Sequence, residues 1–281
     1  MLKRLAGSLL RAMLVVILVT LPTLLLPATT ADVAQIVLLV ALCAGVFVIS
    51  EYSATYPSFV EFRDAPPFNR IRFISLFLTI FLLSVVWRNQ AIESGAGNVI
   101  TSIGNVIGLT IDFPYSPVRL VMEMFPRTTD ANNVALIRIC AGVAYLISLM
   151  TLVAFVVMAR LKGWPNPGRS LNVWVNLPTF DPTAGGDVVK RLMRDAHINV
   201  LLGFVLPFIV PVVIRGVANV FEPVSATSSQ SLIWTVAIWA FLPTSFFMRG
   251  IAMGRIGTLI LHERQESQLR AEREDADFAP V

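Results

Sequence analysis

"VALIRICAGVAYLISLMTLVAFVVM", residues 134–158, carries a single charged residue, Arg138. A helix needs roughly 20 largely apolar residues to cross about 30 Å of hydrocarbon. This run exceeds that length, so it reads as a membrane span and not as the core helix of a soluble domain. Five further stretches approach or meet the requirement: about 9–27, 33–50, 71–87, 198–214 and 231–248. Composition agrees, with 56% hydrophobic and 14% charged residues where a soluble chain carries about 45–50% and 25%. The expected fold is an all-α polytopic membrane protein, residues 1–281 forming one membrane domain with about six transmembrane helices and short interfacial amphipathic helices.

Lysine and arginine set the orientation. The segments 1–11, 51–72, 159–197 and 249–281 together hold 17 of the 22 basic residues. The other loops hold only Arg88, Arg119, Arg127 and Arg215, and Arg138 lies in the fourth span. Basic residues are retained on the cytoplasmic side, so both termini are expected there, in a bacterial-type inner (plasma) membrane. A rival reading exists for the first span: Lys3 and Arg4 precede an apolar run ending in "LPATTAD", which has the outline of a cleavable signal peptide. Arg11 interrupts that outline, and an uncleaved helix is the expectation.

Residues 88–133 form the long outer segment. On a helical wheel, Ile100, Ile103, Ile107 and Ile111 of "GNVITSIGNVIG" and its continuation share a stripe. Gly97, Thr101, Gly104 and Gly108 form a narrow small-residue face. Fifteen residues at 1.5 Å each give about 22 Å, too short to cross, so an interfacial or re-entrant helix is expected. Glycine costs a helix about 1 kcal/mol relative to alanine; aligned on one face, it permits close helix approach within membranes. The approaching helix is either this chain's own or a partner's. Ser116-Pro117 opens a second short helix, and Thr129 or Asp130 caps the fourth span.

Two inner loops follow different patterns. Residues 51–70 hold Tyr52, Tyr56, Phe59, Phe62 and Phe68 among prolines; residues 171–178, "LNVWVNLP", alternate apolar and polar side chains around Trp174 with the period of a strand. The loops either pack on each other or dock on another protein. Gly185 and Gly186 precede Asp187 as a turn and N-cap. Beyond Gly250 the last span is expected to continue as an interfacial amphipathic helix, with Arg249 and Arg255 toward headgroups, and then an acidic tail.

Chemistry is sparse. Ionisable groups inside a membrane mark ion and proton paths, and all 18 acidic residues fall outside the six spans. No nucleophile, metal-binding, phosphate-loop or dinucleotide motif is present, so neither an enzymatic activity nor a cofactor is expected. Cys43 and Cys140 read as free thiols in apolar runs. The tetrapeptide Cys-Ala-Gly-Val at 43–46 and 140–143 reads as coincidence, because the similarity does not extend. The expected role is a non-catalytic subunit, scaffold or assembly factor of a larger inner-membrane complex. The alternative is a channel or facilitator for a small uncharged or lipidic solute. Candidate contacts to a partner or lipid are Arg138, Gly97, Gly104, Gly108, Trp174, Phe59 and Phe62. Expected partners are membrane lipids and either other membrane-protein subunits or further copies of the chain, with no nucleic acid.

Overall fold

The computed structural model describes residues 2–27, 29–125, 130–165, 173–181, 183, 185–218 and 228–277, and the side chain of Trp174 lies outside this set. Helices are the regular secondary structure of the described residues, in the order α1 (Leu2–Leu25), α2 (Ala31–Ser53), α3 (Phe68–Ala91), α4 (Gly95–Thr110), α5 (Pro117–Met122), α6 (Ala131–Leu161), α7 (Val173–Asn176), α8 (Val188–Ala218) and α9 (Ser229–Asp277). Six of them, α1, α2, α3, α6, α8 and α9, are long and apolar enough to cross a membrane. Both described ends of the chain lie at one face of the bundle, the near face; α4 and α5 lie at the other, the far face.

The starts follow local chemistry. The Thr30 hydroxyl accepts from the Val33 amide at 3.4 Å, and Asp32 places a negative charge in the first turn of α2, where the helix dipole favours it. Ser94 caps α4 by accepting from Gly97 N. Ser116 caps α5 with Pro117 behind it, as the sequence indicates. Asp130 occupies the N-cap position of α6 without a side-chain hydrogen bond; Thr129 is outside the described residues. At the other end of α6, Gly163 turns into the left-handed region with φ +57°. The amides of Gly163 and Trp164 then reach back to Arg160 and Ala159, a closing pair of bonds that glycine makes cheap.

Helices α3, α6 and α9 form the centre. Ile80, Leu83 and Val86 meet Ile137, Cys140, Ala141 and Ala144, and these meet Leu232, Ile233, Val236 and Ala237. The outermost helices are α2, which packs chiefly on α1, and α8, which packs on α9. Their remaining surfaces are apolar and bare: Ile36, Leu39 and Val46 on α2, and Leu201, Phe204 and Val212 on α8, are each more than half exposed. Water would penalise such surfaces and hydrocarbon does not.

One expectation is corrected. Residues 173–176 form a helical turn and no strand occurs among the described residues, because an isolated strand with no neighbour leaves its backbone unpaired; residues 171–172 are outside the described set. The last span does continue past Gly250, as expected: α9 runs unbroken to Asp277. Gly250 does not break it because the glycine serves a contact. A Cβ there would lie 2.7 Å from Ala196 O and 2.8 Å from Val200 on α8.

Candidate interaction sites at the two faces

At the near face, Glu51 ends α2 with its carboxylate buried. It accepts from the amides of Ser58, Phe59 and Val60 at 3.0, 2.9 and 3.0 Å. Arg63 closes the same loop from the other side, donating to the carbonyls of Ala54 at 2.6 Å, Glu51 at 3.1 Å and Thr55 at 3.2 Å. Charge-assisted bonds of this kind are the strong ones, so residues 54–60 are held rigidly. The loop presents Tyr56 and Phe59 outward, 65% and 71% exposed, with Phe59 against Phe47 at 5.8 Å between ring centres.

Phe62 turns the opposite way. Its φ of +52° is strained for an aromatic residue, and its surroundings enforce it. The Phe62 amide donates to Asn176 O at 2.7 Å, and its fully buried ring lies 4.3 Å from Phe68 and 5.8 Å from Trp164. Of the two loop phenylalanines singled out, then, only Phe59 reaches a surface; Phe62 is covered by the chain's own residues. The two near-face loops pack on each other, with Asn176 as the joint: its side-chain oxygen also accepts from the Asp64 amide at 3.2 Å.

A polar knot ties this platform to the helices. Arg249 on α9 grips Glu61 at two points, 2.7 and 2.8 Å, and donates to Asn199 Oδ1 on α8 at 3.0 Å. The Thr179 hydroxyl donates to the same Glu61 carboxylate at 2.8 Å, and Asn69 secures the Glu61 carbonyl at 2.7 Å. Arg249, expected among headgroups, is thus committed to a carboxylate that pattern analysis does not pair with it. The only available signal was its position at the end of an apolar run, which does not name a partner. Glu51 and Glu61 both have their oxygens filled by donors, so what this arrangement does chemically is hold loops in place.

Asp187 acts as the N-cap, accepting from Val189 N at 3.3 Å. Arg264 of α9 donates to it at 2.8 Å. That hydrogen bond, chiefly, holds the Asp187 carboxyl below its ordinary range, and the backbone amides of Val189 and Lys190 act in the same direction.

At the far face the glycine stripe is buried against this chain's own helices. A Cβ at Gly97 would run into the Asn89 side chain; at Gly104, it would meet Val143 and Ile139 at 2.7 and 2.8 Å; at Gly108, Arg138 O at 2.9 Å. The receiving notch is Gly142, where a Cβ would lie 2.8 Å from Gly108 Cα. Gly142 belongs to the tetrapeptide that reads as coincidence, and only the crossing of α4 over α6 gives it a role. Arg138 lies beneath this lid. Its partner carboxylate is internal: Asp112 Oδ2 is 3.6 Å away, while Asp112 Oδ1 accepts from Arg119.

Inside the bundle, hydroxyls join helices. Thr151 on α6 donates to Ser75 on α3 at 2.8 Å, and Ser148 donates to Ala240 O on α9 at 2.9 Å with Thr244 adjoining it. Among the described residues no three His, Cys, Asp or Glu side chains gather as metal ligands would. Comparison with known proteins finds no matching family, no matching curated protein and no matching solved structure.

Proposed function

We propose that the chain is a non-catalytic integral subunit, scaffold or assembly factor of a larger complex in a bacterial-type inner membrane, with both termini in the cytoplasm. The observation that carries this reading is α9. Its length of 49 residues, about 74 Å at 1.5 Å per residue, far exceeds a bilayer. From Leu261 to Arg273 nearly every residue is exposed. Beyond Arg264, the side-chain bonds among the described residues run within the helix itself, as in Ser267 to Glu263 and Arg270 to Glu266. A helix that is polar all round can stand in solvent on its i,i+4 pairs and bridge to another body, and that bridging is the role read here. The rigid platform with Tyr56 and Phe59 lies at the same face and adds a second contact surface. The excess of arginine and lysine on that face supports its cytoplasmic placement.

Extraction in mild detergent, followed by a native gel and mass spectrometry of what co-migrates, tests the proposal. A stoichiometric partner that is released when the chain is truncated after Arg264 is the expected result. A clean monomer or symmetric homo-oligomer would remove the proposal. A fluorescent-protein fusion at the C-terminus checks the orientation.

One observation favours the alternative, a facilitator for a small uncharged or lipidic solute. A cleft of about 270 Å³ opens at the far face between α5 and α8, walled by Leu120, Pro211, Val212 and Gly216. The Glu123–Arg215 ion pair stands in its wall at 2.6 Å. Solute flux into proteoliposomes, blocked by Gly216→Phe, would support that reading.

A further inference from the structure

Arg72, one turn into α3, is a cation with no ion-pair partner among the described residues. Its guanidinium lies over Phe68 at 5.5 Å and Phe241 at 5.6 Å, and its Nε is fully enclosed with no hydrogen-bond partner. No hydrogen bond or ion pair reaches it from the described residues. Two aromatic faces attract a cation, but they accept none of the hydrogen bonds that five N–H donors require, and arginine does not escape by losing its proton. The desolvation of the charge is left uncompensated.

The surroundings are basic. Arg72 feels Glu61, but Arg249 already grips that carboxylate from two directions. The hydroxyl of Tyr52, at the end of α2, lies in the field of Arg11, Arg63 and Arg72, with Asp64 the one carboxylate acting against them. Arg11 reaches across from α1 with its guanidinium 4.6 Å over the Tyr52 ring. Arg63 is occupied with backbone carbonyls. Arg11, which also donates to Gly7 O at 2.7 Å, and Arg72 thus both act on the Tyr52 hydroxyl, and no ion pair reaches either guanidinium from the described residues. They do so at the near ends of three spanning helices, the depth at which hydrocarbon gives way to headgroups.

We propose that Arg72, Arg11 and the Tyr52 hydroxyl hold the phosphodiester of an anionic phospholipid in the near leaflet. A phosphate accepts from several N–H groups at once, which is what Arg72 lacks. A lipid is favoured over free phosphate because it already lies at this depth, whereas a dissolved ion would have to shed its hydration to stand between aromatic rings.

The full chain in nonionic detergent, analysed by native mass spectrometry with phosphatidylglycerol, phosphatidylcholine or inorganic phosphate added, decides the matter. Wild type is expected to retain phosphatidylglycerol over phosphatidylcholine. Arg72→Gln should weaken that retention about five-fold, the worth of one arginine at an anionic surface. Arg11→Gln, at the exposed rim, should weaken it in the same direction and serves alone if Arg72→Gln does not fold. Millimolar inorganic phosphate should not compete. Three results would each overturn the proposal: no preference in wild type, an unchanged preference in the variants that fold, or displacement of lipid by inorganic phosphate.

Discussion

The indole N–H of Trp239 on α9 donates to the carbonyl oxygen of Pro207 on α8 across 3.1 Å, in a buried setting. That oxygen is open because the residue four positions on is Pro211, which has no amide hydrogen to offer. One helix thus completes the backbone of its neighbour, as apolar surroundings require. Trp239→Phe keeps an aromatic ring near Tyr145, now 6.0 Å away, but strands the carbonyl. The expected cost is about 1–3 kcal/mol, read as a lower unfolding temperature in detergent. Adding Pro211→Ala, which restores an amide donor, should return part of the loss; if it returns none, the open carbonyl is not the cause.

Gly104, Gly108 and Gly142 make the crossing of α4 over α6. Gly142→Leu or Gly104→Leu is expected to expel α4 and expose residues 95–116 to protease, since the nearest obstructing atoms include rigid backbone. Gly95→Ala faces open space at the start of the same helix and should be neutral or stabilising by up to about 1 kcal/mol. Equal effects from the two kinds of substitution would show that the stripe is not a contact.

Removing one member of the Glu61–Arg249 pair leaves the other charge partly enclosed, with side chains 11% and 27% exposed. Arg249→Met is expected to cost about 2–3 kcal/mol, below the figure for fully buried pairs because water still reaches the edge. Arg249→Lys should recover only part of it, because an ammonium cannot reproduce the two-point grip. Chemical denaturation in detergent, monitored by tryptophan fluorescence, reads both.

Asp187 makes the near end of α8 sensitive to acid. Its folded carboxyl is held below the ordinary value of 3.8, first by the hydrogen bond from Arg264. A depressed pKa contributes stability that is fully present above the unfolded value and is lost as pH falls through the folded one. Amide exchange at residues 188–192, corrected for intrinsic rates, should therefore be unchanged from pH 7 to 5 and rise only below about pH 4. Asp187→Asn should show the raised exchange already at pH 7 and little further change on acidification.

Much of the bundle was legible from composition and run length. Hydrocarbon punishes every unpaired backbone group and charge, so the spanning helices announce themselves as long apolar runs, and caps such as Ser116-Pro117 mark starts by local chemistry. The glycine face of α4 was also visible, since three small residues at helical spacing are a one-dimensional pattern. What covers that face was not, because Gly142 lies 34 positions from Gly108 in sequence, and nothing in a lone glycine names its neighbour.

The sequence by itself determined that this chain lives in lipid, where its helices lie along the chain, and that basic residues gather on one side of the bundle, because each of these depends on residues close together in sequence. Only the tertiary structure decided that Phe62 faces inward while Phe59 faces out, that Arg249 belongs to Glu61 and Arg138 to Asp112, and that Arg72 finds no carboxylate partner among the described residues. Pairing is a long-range property: a side chain's partner is chosen by how helices cross, and within the alternating pattern residues 173–176 form a helical turn for the same reason, since no neighbouring strand among the described residues is there to complete it.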